Sequence, residues 1–267
     1  MWKKTYFIGL SVVFILSMVL TACGGNGEKG SSSSNGSEGN KNSENTMKLG
    51  EKQITLLGNH YQSHTASLYV AKQVLEKVGY DVKIKQVGGG ALFAGIANGS
   101  ADATLGVWLP TTDASYWKRF KDKLNKIGIV INEAPLGLTV PTYMKDINSI
   151  EDLAKNKNGM GEKLNWTITG ISPGVGEMEV TKNKVMSAYG MKDKWKLQAS
   201  SASGMLSTLS KAIEEKKPVV ITLWYPHWAF IRWDLKLLKD PKNKYGDPDN
   251  IYAVAREGFK KDSPVAY

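Results

Sequence analysis

The chain has 267 residues, a single cysteine and a net charge of +10 at neutral pH. One cysteine excludes an intramolecular disulfide and a thiolate metal cluster. The basic residues are scattered through the chain and interleaved with acidic ones, as at residues 118–126, and do not form the basic stripe with interleaved aromatic residues that is typical of nucleic-acid binding. We therefore expect no nucleic-acid partner, and nothing in the composition points to a metal ion or a cofactor.

The amino terminus has the pattern of an export signal. Lys3 and Lys4 precede an apolar run over residues 6–19, which is too short to span a membrane comfortably. The run leads to a small-residue site that ends at Cys23 and resembles the lipobox of bacterial lipoproteins. We expect residues 1–22 to be a signal peptide and Cys23 to carry a lipid that holds the protein at the outer face of the bacterial cytoplasmic membrane. The alternative is an ordinary secretory signal with an incidental cysteine.

A polar segment separates this signal from the folded part. Residues 24–47 consist almost wholly of Gly, Ser, Asn, Glu and Lys, and such a composition cannot bury enough apolar surface to fold. We expect residues 23–50 to be a flexible, lipid-anchored linker. A chain of about 25 residues would let the folded part range roughly 25–30 Å from its anchor.

The remaining sequence predicts two similar series of alternating strands and helices. The first comprises a strand at 54–57, a helix at 67–79, a strand at 81–87, a helix after the glycine triplet 88–90, and a strand at 103–107. The second comprises a strand at 166–169, a helix at 176–189, a strand at 195–198, a helix reaching residue 216, and a strand at 219–223. Alternating strands and helices predict an α/β fold in which the sheets are mainly parallel.

Both series end in an apolar strand that runs into Trp-x-Pro. The two tryptophans are Trp108 and Trp224. Open α/β sheets bind ligands beyond the carboxyl ends of their strands, so each indole is expected at a binding cleft. Two copies predict two lobes that present aromatic faces to one cleft, which suits a cation that has no N–H to donate.

Two apolar extended segments lie where the chain could cross between the lobes. Residues 136–141 follow the first series and residues 251–256 follow the second. We interpret both as hinge strands; the alternative is that they are edge strands of one continuous sheet. The resulting prediction places lobe 1 at 51–139, with 257–267 returning to it, and lobe 2 at 140–256.

Several further motifs extend from about residue 54 to residue 267 and include Gly99-Ser-Ala-Asp-Ala, Val107-Trp-Leu-Pro-Thr, Gly170-Ile-Ser-Pro-Gly-Val-Gly and Thr222-Leu-Trp-Tyr-Pro-His-Trp. Together these motifs resemble the extracytoplasmic glycine-betaine and quaternary-amine binding proteins of osmoprotectant ABC transporters. The resemblance implies a two-lobed periplasmic-binding-protein fold of the type II-like class. It also implies a monomer that binds a quaternary ammonium compound and works with a membrane permease and its cytoplasmic ATPase.

The resemblance also implies site residues. Trp108 and Trp224 match cage tryptophans, and Tyr61 stands where many members have a third tryptophan. Gly170 and Ile171 match residues whose backbone N–H groups hold the carboxylate of a betaine.

One substitution bears on the choice of ligand. Asp113 stands where betaine-binding members often have a histidine that helps to hold the carboxylate. An aspartate there suits a hydroxyl donor or a second positive charge, which makes a choline-type amine an alternative ligand. Asp113 could instead face solvent or cap the following helix. His60 or His64 could replace the missing donor, although both also fit surface or loop positions.

The sequence contains no pattern of a familiar hydrolase. It has neither a Gly-x-Ser-x-Gly elbow nor a His-Glu-x-x-His helix, and Ser172 lacks an identifiable base. We therefore expect a binding protein and not an enzyme. A sensory or adhesion lipoprotein on the same fold is a further alternative.

Overall fold

Two five-stranded sheets form the framework of the computed structural model, which describes residues 48–267. The predicted signal peptide, Cys23 and nearly all of the predicted linker lie outside the described residues. The strands are β1 (Gln53–Gly58), β2 (Asp81–Gln86), β3 (Ala103–Leu109), β4 (Leu124–Ala134), β5 (Leu136–Pro141), β6 (Thr167–Thr169), β7 (Lys196–Gln198), β8 (Ile221–Trp224), β9 (Leu235–Leu237) and β10 (Asp249–Arg256).

Helices connect and cover the sheets. The α-helices are α1 (Gln62–Val78), α2 (Gly89–Ala97), α3 (Ala114–Phe120), α4 (Ile150–Ala154), α5 (Met160–Lys163), α6 (Gly176–Val180), α7 (Met186–Ala188), α8 (Ala202–Glu214), α9 (Ala229–Arg232) and α10 (Phe259–Asp262). A π-helical turn, Thr181–Val185, joins α6 to α7. No helix in the described part of the chain is long and apolar enough to cross a membrane.

The two sheets have equivalent strand orders. The first is β2-β1-β3-β10-β4 and the second is β7-β6-β8-β5-β9. In each sheet the first three strands are parallel, and the last two pair antiparallel. Because β10 and β5 are each antiparallel to both of their neighbours, the other four strands of each sheet run in one direction. The sheets are therefore mixed but mainly parallel, as expected. We call the first sheet with α1–α3 and α10 the first lobe, and the second sheet with α4–α9 the second lobe.

The chain crosses between the lobes at two places. It leaves β4 of the first sheet and enters β5 of the second through Pro135. It returns through residues 238–248, between β9 and β10. The predicted hinge segments 136–141 and 251–256 are thus internal strands of two different sheets, and the crossings precede them.

This crossing pattern shifts the expected lobe boundaries. The strand β10, which falls within the range 140–256 expected for lobe 2, lies between β3 and β4 of the first sheet. Likewise the start of β5, residues 136–139, lies in the second sheet and not in lobe 1. The reason is that the antiparallel partner of β3 comes from the far end of the sequence, so each lobe is built from segments on both sides of a crossing.

The carboxyl-terminal residues pack on the first lobe. Phe259 is buried against the first sheet in a cluster with Ile54 and Ala255. The Arg256 guanidinium bonds the Asp102 carboxylate at 2.8 Å.

Helix α1 is longer at its start than the apolar pattern predicts. It begins at Gln62 and ends at Val78, where Gly79 adopts a left-handed conformation with φ 112°. Glycine adopts this conformation without a steric penalty, which explains the termination there. The extra turn at the start carries His64, and the extended residue Tyr61 before it, to the side of the sheet that faces the second lobe.

Candidate functional site

A cavity lies between the two lobes and is lined from both. It has a volume of about 60 Å³ for water-sized spheres, which is several times the roughly 10–15 Å³ that one buried water needs on this measure. Its walls are mostly apolar and aromatic. The lining residues are Asn59, Tyr61, Ser63, His64, Ser67, Leu105, Gly106, Trp108, Thr112, Asp113, Ile131 and Ile251 of the first lobe or its connection to the second, and Leu136, Ile171, Val175, Gly176, Glu177 and Trp224.

The two tryptophans occupy equivalent places in the two sheets. Trp108 is the second-last residue of β3 and pairs with Ile251 of the antiparallel strand β10. Trp224 ends β8 and pairs with Leu136 of the antiparallel strand β5. All four side chains line the cavity. The repeated Trp-x-Pro pattern in the sequence therefore reflects a repeated position at the carboxyl end of a central strand, as predicted.

Tyr61 joins this aromatic wall. Its ring meets the Trp224 ring edge to face, with centroids 5.2 Å apart and an interplanar angle of 63°. Tyr61 and Trp108 of the first lobe both pack against the apolar cluster of the second lobe that contains Trp224 and Ile171. Burial raises the pKa of Tyr61, and the nearby carboxyls of Glu177 and Asp113 raise it further, so the phenol stays neutral. The structure thus brings all three expected cage residues to one cavity.

Asp113 neither faces solvent nor caps the following helix. It is buried, and its side chain makes no capping hydrogen bond to α3. Its Oδ2 instead accepts a hydrogen bond from the backbone N–H of Trp108 at 2.9 Å, while its own N–H donates to the Trp108 carbonyl at 2.9 Å. Burial raises the pKa of Asp113 to about 7 against the opposing effect of the Trp108 hydrogen bond, and the charges of Asp249 and Glu179 add to the increase. Asp113 therefore fixes the turn that carries Trp108 and also lines the cavity.

Only one of the two expected carboxylate-binding N–H groups is placed for that role. The N–H of Gly170 donates to the carbonyl of Gln198 at 2.8 Å, which continues the pairing of β6 with β7, and Gly170 does not line the cavity. Ile171 does line the cavity, and its N–H has no hydrogen-bond acceptor among residues 48–267. A pair of convergent donors from these two residues is therefore not present in this arrangement.

The two candidate histidines have different environments. His60 is exposed and does not line the cavity.

His64 lines the cavity, but both of its ring nitrogens are occupied. Nδ1 accepts from the Asn59 N–H at 3.2 Å, which assigns the proton to Nε2, 3.1 Å from the Thr104 hydroxyl. Burial lowers the pKa of His64 to about 4, so the ring is neutral at physiological pH. His64 is therefore held in place by the first lobe and does not supply the donor that Asp113 lacks.

Glu177, at the start of α6, is a cavity residue that the sequence did not single out. It is 4% exposed, and within residues 48–267 neither of its carboxyl oxygens has a hydrogen-bond partner. Burial alone raises its pKa to about 8. Its position in the sequence could have indicated burial, because it lies directly after the Gly170–Gly176 loop and before the apolar Met178.

Comparison with known proteins places this site in context. Residues 52–267 match the family model described as "Substrate binding domain of ABC-type glycine betaine transport system" (OpuAC). A segment of 111 residues is 49% identical to the glycine betaine/carnitine transport binding protein GbuC of Listeria monocytogenes serotype 1/2a, and this alignment covers 42% of the chain and 37% of that protein.

Two solved structures are similar over most of the chain. The glycine betaine, L-proline binding protein ProX of Borrelia burgdorferi superposes with a TM-score of 0.76 at 32% identity, covering 81% of this chain and 79% of that one. Lactococcal OpuAC, in its closed form with glycine betaine, superposes with a TM-score of 0.74 at 38% identity, covering 81% and 82%. These matches confirm the two-lobed, type II-like binding-protein fold, and the family description agrees with a binding protein and not an enzyme. The chain therefore belongs to the OpuAC family of substrate-binding domains of ABC-type glycine betaine transport systems.

Proposed function

We propose that this protein captures glycine betaine or a related quaternary amine outside the cell and delivers it to the permease of an ABC transporter. The observation that carries the proposal is the convergence of Tyr61, Trp108 and Trp224, from both lobes, on one buried cavity. Membership in the OpuAC family supports the same conclusion independently of the geometry.

The aromatic wall suits a trimethylammonium group for a physical reason. Such a group spreads its charge over methyls and has no N–H, so single hydrogen-bond acceptors recognise it poorly. An aromatic face attracts a cation by roughly 0.5–2 kcal/mol. Three faces then supply about 2–6 kcal/mol, compared with about 8 kcal/mol for a micromolar dissociation constant. Apolar contact with Leu136, Ile131 and Ile251, together with the polar end of the ligand, supplies the remainder.

Contacts between the lobes support a mechanism of capture by closure. The Tyr116 hydroxyl of the first lobe donates to the Gly174 carbonyl of the second at 2.6 Å, and the Ser115 hydroxyl donates to the Glu179 carboxylate at 3.0 Å. Trp228 of the second lobe also donates to the side chain of Gln62. A ligand that touches both lobes stabilises this closed arrangement over an open one, and a permease can distinguish the two.

The proposal includes the anchor expected from the sequence. A lipid on Cys23, followed by the polar segment 24–47, would keep the receptor beside its permease at the outer face of the membrane. Metabolic labelling with a radioactive fatty acid tests this: the label should appear in the protein and should be lost in Cys23→Ser. Label retained in that variant contradicts the anchor.

Binding is tested by titrating the purified protein with glycine betaine, proline betaine, carnitine, choline and dimethylsulfoniopropionate. We expect at least one of them to change the tryptophan fluorescence and to give a dissociation constant in the micromolar range by calorimetry. L-Arginine, a cation with N–H donors, is the control and should not bind. If none of the five onium compounds binds, the proposal is wrong.

A further inference from the structure

The cavity contains buried side-chain oxygen atoms that have no hydrogen-bond partner among residues 48–267. Among residues 48–267, six buried side-chain nitrogen or oxygen atoms have no hydrogen-bond partner, and four of them belong to cavity residues. These four are Asn59 Oδ1, Thr112 Oγ1 and both carboxyl oxygens of Glu177. Native proteins pair nearly all such atoms, because a buried unpaired polar group costs the whole of its lost hydration. The concentration of these atoms in one cavity points to a ligand that brings hydrogen-bond donors.

Glu177 is the strongest of these groups. Its carboxyl is at the start of α6 and is buried at 4% exposure. No ion pair involves it in the described part of the chain, and none of the cavity residues is a lysine or an arginine. A buried carboxylate without a partner is expensive, so a cationic ligand with a donor would relieve that cost on binding.

The same surroundings disfavour a ligand with an anionic end. Asp113 presents a second buried carboxyl to the cavity, and the expected carboxylate-binding N–H of Gly170 is already bonded to Gln198. The one free backbone donor from that pair is Ile171. A ligand carboxylate would therefore meet two acidic side chains, and it would be tolerated only if those side chains were protonated.

We propose that Glu177 determines the ligand preference by accepting a hydrogen bond from a hydroxyl group of the ligand. The site then prefers a hydroxyl-bearing quaternary amine such as choline over a carboxylate-terminated one such as glycine betaine. The inference rests on the proposed function, since the onium end of the ligand lies against Tyr61, Trp108 and Trp224. The polar end of the ligand then lies against Glu177.

The protonation states of the cavity side chains should make ligand binding depend on pH. Tyr61 and Tyr245 are the titratable groups whose pKa the charge of Glu177 raises, and both stay neutral because that pKa is raised. Asp113 faces the cavity from the β3–α3 turn, and His64 faces it from α1 in neutral form. Glu177 has a pKa of about 8 and Asp113 one of about 7 without ligand, so both ionise between pH 6 and 9. An ionised Glu177 accepts from choline, whereas only a protonated one can donate to a betaine carboxylate.

The test is calorimetric titration of the protein with choline and glycine betaine, which share the trimethylammonium group and differ at the polar end. We expect choline to bind more tightly at pH 8 to the unaltered protein. In Glu177→Gln the amide oxygen can still accept from the ligand hydroxyl, but without the charge that strengthens the bond, so choline affinity should fall about tenfold or more. Glycine betaine affinity should stay within threefold or rise. Raising the pH from 6 to 9 should strengthen choline binding and weaken glycine betaine binding, and Glu177→Gln should reduce both trends.

A neighbouring carboxylate provides the matched control. Glu179 lies two residues further along α6, bonds Ser115 and Tyr116 of the other lobe and does not line the cavity. Glu179→Gln should therefore change the two affinities by the same factor. If Glu177→Gln fails to give folded protein, Glu177→Met provides an uncharged side chain of similar length for the same comparison.

Two outcomes would overturn the inference while leaving the proposed function intact. One is tighter binding of glycine betaine than of choline at pH 8 in the unaltered protein. The other is a ratio of the two affinities that Glu177→Gln leaves unchanged. Failure of both ligands to bind contradicts the proposed function itself, so the two failures are distinguishable.

Discussion

The Tyr61 ring of the first lobe meets the Trp224 ring of the second lobe at a centroid distance of 5.2 Å. Tyr61 is the residue before α1, and Trp224 is the last residue of β8. No local interaction brings them together; only the closed arrangement of the two lobes does so. The aromatic wall is therefore complete only when the lobes meet, which couples ligand binding to closure in the proposed mechanism.

Removing one ring should weaken binding of every quaternary amine. Trp108→Ala removes a half-buried indole from the cavity wall, and we expect affinity to fall about tenfold or more, since a desolvated ring contributes up to roughly 2 kcal/mol beyond its apolar contact. Tyr61→Phe keeps the ring and should change affinity by less than about threefold. Calorimetry measures both.

Trp117 offers the control for the cage prediction. It lies on α3 outside the cavity, beside the ammonium group of Lys126. Trp117→Ala should leave affinity unchanged. Equal losses in Trp108→Ala and Trp117→Ala would mean that general loosening, and not the cage, explains the effect.

Closure should depend on a glycine at the lobe interface. A Cβ added to Gly176 of the second lobe would lie 2.2 Å from the Thr112 carbonyl oxygen and 2.9 Å from Asp113 Oδ1 of the first lobe. Gly176→Ala suits a helix, so each lobe should fold normally while the closed form is blocked. We expect affinity to fall at least tenfold, and small-angle X-ray scattering should show no compaction when ligand is added.

Gly88 is the matched position for the closure prediction. Its backbone φ is −72°, and a Cβ there would have no neighbour within 4 Å. Gly88→Ala should bind and compact like the unaltered protein. Ligand-induced compaction retained in Gly176→Ala would show that the interface adapts to a methyl group.

The elements with a strong local pattern could be predicted from the sequence. The apolar spacing from residue 68 to 78 and the stop at Gly79 predict α1, and the apolar run that leads to Trp108 predicts β3. The same reasoning places Trp108 and Trp224 near strand ends, where both line the cavity between the lobes. These predictions succeed because periodicity and strand ends are properties of a few neighbouring residues.

The pairing of distant segments could not be predicted in this way. Nothing within Asp249–Arg256 shows that this strand inserts between β3 and β4, because the pairing depends on where the chain crosses between lobes. Nor does the sequence show that the Gly170 N–H is bonded to Gln198, or that Glu177 is buried without a partner. Both facts depend on how the ends of β6 and β7 and the start of α6 meet.

Asp113 should stabilise the turn that carries Trp108. Asp113→Asn keeps a carbonyl oxygen to accept from the Trp108 N–H, and it should change the free energy of unfolding little. Asp113→Ala leaves that N–H without its partner, and we expect a loss of about 1–3 kcal/mol. Urea denaturation of the two variants measures the difference. Equal stability of Asp113→Asn and Asp113→Ala would show that the hydrogen bond contributes nothing.

The buried carboxyls should make the ligand-free protein less stable as the pH rises. Folding raises the pKa of Glu177 from 4.5 to about 8 and that of Asp113 from 3.8 to about 7, chiefly through burial. Between these values the folded protein holds protons that the unfolded chain has lost, so the free energy of unfolding falls as the pH rises and levels off above about 8. Each proton held contributes a slope of up to roughly 1.4 kcal/mol per pH unit.

The clearest range for this measurement is pH 6.5 to 8. Burial lowers the pKa of His64 and His227 to about 4, which makes stability rise with pH between about 4 and 6.5 and opposes the carboxyls there. Above 6.5 that opposing contribution fades as the histidines of the unfolded chain lose their remaining protons, and the fall due to Glu177 and Asp113 becomes the larger effect. Glu177→Gln should give a shallower fall and a more stable protein at pH 8, whereas Glu257→Gln, at an exposed position, should leave the curve unchanged. Urea denaturation at half-unit pH steps would contradict the burial of an ionisable Glu177 if both variants kept the slope of the unaltered protein.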